Sequence, residues 1–211
     1  MTRPVEGISP IGFDGIPHYV AEHPEQIRTD LTAYFSSYTG RWFEHFSREG
    51  DPTRFDANDV TACAALSVPL DGPTLNGLWG QLDNINELLS RSPGREVTLA
   101  EVDTSSDSYT TLSSLYDTIR AIPGMGMVRT SKLLASKRPH LVPIRDSYVD
   151  ALLGKPTQWW AEWRTVVENE PLVAQVTKLA EGVTPTDTSL LRIFDVVLWM
   201  EADRRAKTAK A

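Results

Sequence analysis

The sequence predicts an all-α protein. Three observations carry that expectation. Apolar residues recur at helical spacing in five separate segments. No segment alternates apolar and polar residues with the period of two that a half-buried strand needs, although short strands at residues 42–46 and 141–144 stay open. Capping residues, glycine and proline mark the ends of several stripes.

In order along the chain, residues 1–22 are rich in Gly and Pro and read as an irregular arm. Ile27, Leu31, Tyr34 and Phe35 form the first stripe. Asp56 is placed to cap a helix running through residues 60–66. Gly72-Pro73 opens a longer stripe of Leu75, Leu78, Trp79, Leu82, Ile85 and Leu89. Thr98 and Glu101 have capping-box spacing ahead of Tyr109, Leu112, Leu115, Tyr116 and Ile119. Gly154 is placed to stop a helix, and Trp159, Trp160, Trp163, Val166 and Val167 follow. These tryptophans could stack on bases, but at helical spacing they read as core. Leu190, Leu191, Phe194, Val197 and Leu198 form the last stripe, with a frayed basic tail expected over residues 204–211. The expected organisation is a single helical domain over residues 1–203.

Composition narrows the function classes. Hydrophobic residues at 41% and charged residues at 23% are an ordinary globular balance. No apolar run approaches the ~18 residues of a membrane span, and the N-terminus lacks a signal-peptide pattern. The one cysteine, Cys63, lies among alanines and reads as a small buried residue. One cysteine excludes an intrachain disulfide framework and a cysteine-ligated zinc or iron–sulfur site. A cytoplasmic protein, with no metal, is expected.

The net charge of -7 argues against a generally basic nucleic-acid binder. Yet residues 120–145 hold six cations, Arg120, Arg129, Lys132, Lys137, Arg138 and Arg145, and no Asp or Glu. That asymmetry suggests a localised anion-binding face.

The same window carries a turn with chemical consequences. Ile122-Pro123-Gly124-Met125-Gly126 follows one helix and precedes another that begins Met127-Val128-Arg129-Thr130-Ser131-Lys132. Proline cannot continue the first helix, and the glycines permit positive φ. The new helix starts with unpaired N–H groups at its positive dipole end, which suits phosphate. Pro123, Gly124, Met125, Gly126, Met127, Arg129, Thr130 and Lys132 are the expected phosphate contacts, with Lys137, Arg138 and Arg145 in support.

This hydrophobic-Pro-Gly-hydrophobic-Gly pattern resembles the helix–hairpin–helix motif, here over about residues 109–136. About twenty residues after the turn comes Leu141-Val142-Pro143-Ile144-Arg145-Asp146-Ser147-Tyr148-Val149. The pair resembles the endonuclease III-like DNA glycosylases, in which an aspartate at that distance is catalytic. The resemblance implies a compact multi-helix domain of that type, with Asp146 in the catalytic role. It implies double-stranded DNA as partner, no cofactor beyond a monovalent cation at the hairpin, and base removal by hydrolysis of the N-glycosidic bond. Bifunctional members carry a lysine two residues after the second hairpin glycine. Val128 stands there and cannot form a Schiff base, so a monofunctional enzyme without lyase activity is expected. The iron–sulfur cysteines of some members are missing as well.

Other phrases, Tyr38-Thr39-Gly40, Leu66-Ser67-Val68-Pro69, Ser131-Lys132-Leu133-Leu134 and the stretch from Leu191 to Met200, are similar to an actinobacterial family with no assigned function. Alternatives stand beside the enzymatic reading. Asp146 before Ser-Tyr-Val is also an ordinary helix N-cap. A non-catalytic DNA-binding or adaptor protein would keep the hairpin without the reaction, and a protein-interaction domain would need neither. Arg192 and Asp195 read as a structural pair one helical turn apart, and His140 as a surface residue. A monomer is expected.

Overall fold

Caps and stripes become twelve α-helices and one 3-10 turn (Thr39–Arg41) in the computed structural model, which describes residues 7–209. The helices are α1 (Ile16–Glu22), α2 (Pro24–Ser37), α3 (Trp42–Glu49), α4 (Ala57–Ala65), α5 (Gly72–Gly80) and α6 (Leu82–Arg91), followed by α7 (Asp107–Arg120) and α8 (Gly126–Lys137). The chain closes with α9 (Ser147–Leu152), α10 (Trp159–Val167), α11 (Glu170–Ala180) and α12 (Leu190–Thr208). No strand occurs among the described residues. None of the described helices is long and apolar enough to cross a membrane.

The chain divides into two compact units. One unit takes the described residues up to Tyr38 together with those from Pro143 onward. The other is Thr39–Val142. A unit assembled from both ends of a chain leaves no compositional break to read.

In the first unit α12 is the central element. It buries Leu191, Phe194, Val196, Val197, Leu198 and Ala202, and it packs against α2, α9 and α11. Ser189 caps it by accepting from the Arg192 amide at 3.2 Å. Of the expected frayed tail over residues 204–211, residues 204–208 are helical, and residues 210–211 lie outside the described residues. Arg204 is bonded to Asp30 and Glu201, and Arg205 donates to Glu201 at 2.7 Å, so these cations hold α12 to α2 and to its own preceding turn. The expected arm is likewise ordered over much of its length. The Ile11 amide donates to the Leu152 carbonyl at 2.8 Å, Phe13 meets Trp159 and Trp163 edge-on, and α1 begins at Ile16. Residues 1–6 of that arm lie outside the described residues. Trp159 and Trp163 are core, as their spacing suggests.

In the second unit α8 packs against α3, α4 and α7, and α6 packs against α7. Asp56 caps α4 in a reciprocal box. Its carboxylate accepts from the Asn58 amide at 2.7 Å while Asp59 accepts from the Asp56 amide at 2.8 Å. The single long stripe expected after Gly72 is two helices, because the chain leaves helical geometry at Gln81. Residues 42–46 are the start of α3, not a strand. Thr98 and Glu101 bond to each other at 2.8 Å in a turn, and it is Ser106 that caps α7 through the Tyr109 amide at 3.2 Å.

Candidate functional site

The turn between α7 and α8 lies where the sequence places it. The chain tightens through the Ile122 amide donating to Ile119 at 3.1 Å and the Met125 amide donating to Ile122 at 3.0 Å. Ile122 and Met125 are buried and anchor the turn, while Pro123, Gly124 and Gly126 are exposed between and beside them. Gly124 has φ +89° and faces α5 so closely that a Cβ would sit 2.0 Å from Thr74 Oγ1. Thr74 is in turn set by Asp71, the N-cap of α5, which accepts from its amide at 2.9 Å. Gly126, at φ +58°, opens α8 with nothing within 4 Å of the position a Cβ would take.

α8 starts without a side-chain cap, since Met125 stands at its N-cap, and it has no acidic residue in its first turn. The dipole end is therefore left to other partners. Arg129, one turn in, reaches back and donates to the Gly124 carbonyl at 2.5 Å. A guanidinium is thus held at the rim of the turn. Met127 is exposed beside it. Val128 presents no amine at this turn.

The wider basic face expected from residues 120–145 does not form. Lys132 is buried and donates to the Leu66 carbonyl at 3.2 Å. Lys137 is fully buried and bridges Asp59 and the Asp51 carbonyl, each at 2.7 Å. Arg138 is buried on the carbonyls of Pro93, Leu89 and Lys137. Its burial, with Arg95 nearby, lowers its pKa to about 10. Thr130 is fully buried too, and its hydroxyl has no hydrogen-bond partner among the described residues. Lys132, Thr130, Lys137 and Arg138 are thus structural, and none is available to a phosphate. Arg120 remains at the surface, 3.3 Å from Asp117. Cations near one another in sequence were drawn inward by carbonyls and a carboxylate on other segments.

Asp146 lies in the other unit, as the N-cap of α9. Its carboxylate accepts from the Tyr148 amide at 3.0 Å and the residue is half-buried. Arg145 beside it does not face outward. Its guanidinium contacts both oxygens of Asp150 at 3.0 Å and lies 5.0 Å over the Trp159 ring. Burial holds the Asp150 carboxyl above its ordinary value despite that arginine. The reading of Arg145 as a phosphate support is corrected accordingly.

Sequence reasoning missed an aromatic group in the same unit as Asp146. Trp199 meets Tyr34, Tyr38 and Tyr148 at 6.2, 5.9 and 6.3 Å between ring centroids. Arg192 pairs with Asp195, as expected, and donates to Tyr34 Oη at 2.6 Å. These rings come from three helices and a cap, so no local pattern announces them. Cys63 is fully buried, and burial pushes its thiol up to about 12, which makes it a poor nucleophile. His140 is half-buried. No group of three or more His, Cys, Asp or Glu able to hold a metal ion occurs among the described residues.

No curated protein and no solved structure matches the chain. A family model does match, over residues 27–202, which takes in all of α3 to α11 and most of α2 and α12. The chain belongs to the DUF6308 family, a family of unknown function.

Proposed function

We propose that this protein binds the phosphate backbone of double-stranded DNA through the α7–α8 turn. The observation that carries the reading is the start of α8. It is a helix N-terminus with no side-chain cap and no acidic residue in its first turn, behind a glycine turn, with Arg129 held at its rim. Backbone N–H groups at such an end take an oxyanion without a side chain, and contacts of this kind position a duplex rather than read its sequence. With Arg129 and Arg120 as the cations of this edge, binding is modest and salt-sensitive. Fluorescence anisotropy with a labelled duplex tests this. A plot of log affinity against log salt should have a slope of about -2, as two neutralised phosphates give. Arg129→Glu should abolish binding. Absence of duplex binding by the wild type at low salt would leave the protein-interaction reading in its place.

The finer reading is a monofunctional DNA glycosylase. Asp146 would stabilise positive charge at C1′ and orient the water that attacks there, while the base departs with its bonding electrons and takes up a proton. The target base would have to leave the stack first. The support is the spacing of Asp146 after the turn and its place, half-buried, at the start of α9. Val128 removes the amine that strand cleavage would need. Asp146→Asn is a clean test, because asparagine caps a helix as well as aspartate does. Loss of base release with duplex binding retained supports the reading, and unchanged release contradicts it. If the wild type releases no base from a panel of modified duplexes, the non-catalytic adaptor is the better description. A cytoplasmic monomer belongs to the same proposal.

A further inference from the structure

The likeness to helix–hairpin–helix proteins brings with it a monovalent cation at the hairpin, and the turn itself provides a test of fit. An ion of that kind, where backbone binds it, is held by carbonyl oxygens that replace its hydration shell. Three carbonyl oxygens at this turn already accept hydrogen bonds. The Ile119 carbonyl accepts from the Ile122 amide at 3.1 Å and the Ile122 carbonyl accepts from the Met125 amide at 3.0 Å. The Gly124 carbonyl accepts from the Arg129 guanidinium at 2.5 Å. The last contact places a permanent positive charge on a turn oxygen that a metal ion would need. Gly124 has little room to turn away, because a Cβ built on it would sit 2.0 Å from Thr74 Oγ1 and its φ is +89°. At the Gly124 oxygen the turn does not fit a metal ion, because a guanidinium already occupies it.

We infer that Arg129 is the hairpin's own cation, standing in place of a monovalent metal ion. A guanidinium has five N–H donors in a fixed fork, so one can hold the Gly124 carbonyl while others face an oxyanion beside the start of α8. Gly126 leaves that side open. Arg129 is thus a positioning residue for the turn and, on the DNA-binding reading above, a phosphate contact as well.

The test compares potassium, sodium and tetramethylammonium chlorides at matched ionic strength, using the full-length protein. The wild type should melt at the same temperature and bind a labelled duplex with the same affinity in all three, and thallium(I) NMR should detect no saturable site. Arg129→Met should lower the melting temperature and weaken duplex binding at least several-fold. Saturable thallium binding, or a potassium-specific gain in the wild type's melting temperature or affinity, would overturn the inference. Should Arg129→Met fail to fold, the wild-type comparison still decides. Should no duplex bind in any salt, the DNA-binding reading fails, while melting and thallium binding still decide the question of the cation.

Discussion

Lys137 Nζ lies 2.7 Å from Asp59 Oδ1, and both side chains are fully buried. The ammonium also donates to the Asp51 carbonyl at 2.7 Å, and the Ser136 hydroxyl donates to the same Asp59 oxygen at 2.7 Å. The pair joins the end of α8 to α4 and to the loop before it. A buried ion pair that loses one partner strands the other charge, at a cost of about 3–5 kcal/mol. Lys137→Met should therefore lower stability by that amount in urea titration, and adding Asp59→Leu should restore part of it. A loss below about 1 kcal/mol, the range of exposed pairs, would mean that the site is wet.

The two glycines of the turn should respond unequally. At Gly124 alanine meets both a left-handed backbone and Thr74, so Gly124→Ala should cost about 2–4 kcal/mol, combining strain and overpacking. At Gly126 only the backbone objects, and Gly126→Ala should cost about 1 kcal/mol. Equal costs measured by chemical denaturation would contradict the packing of Gly124 on α5.

Thr130 buries a hydroxyl that has no partner among the described residues. Valine has nearly its shape without that oxygen. Relief of an unsatisfied group is worth about 1 kcal/mol or more, so Thr130→Val should raise the midpoint of thermal unfolding. A lower midpoint would show that the hydroxyl is bonded in solution.

Asp71 links pH to the platform beneath the turn. The hydroxyl and amide of Thr74 hold its carboxyl below the ordinary value of 3.8, with a smaller effect from Arg129. The unfolded chain therefore binds the proton more readily than the folded one. The stabilisation is present in full above 3.8 and is lost as pH falls through the folded value. The stability difference between wild type and Asp71→Ala should shrink on acidification below that window. A difference independent of pH, followed by urea midpoints, would show that the carboxylate's charge plays no part.

What the sequence disclosed was local. Pro123, Gly124 and Gly126 bound the turn because ring closure and missing Cβ atoms act within a few residues. The Asp56–Asp59 capping box was visible in part for the same reason. The fate of the cations was not local. Lys137 finds its carboxylate on α4, and Arg138 finds its carbonyls at Leu89 and Pro93, so a window of positive charge in sequence became a set of internal bonds. Arg204 read as part of a tail until Asp30 on α2 came within reach. Helical periodicity ran unbroken across Gly80 and Gln81, because the apolar residues on both sides stay in register while the backbone turns. The aromatic contacts of Trp199 needed three-dimensional placement in the same way.

The most direct measurement is an amide chemical-shift titration of the nitrogen-15-labelled protein with a short DNA duplex at low salt. Saturable shifts are expected only at the start of α8 and its turn, largest at Gly126, Met127 and Arg129. They should be lost in Arg129→Glu and weakened by added salt. Shifts that cluster elsewhere, or none at any duplex concentration, would contradict the claim that this turn grips DNA.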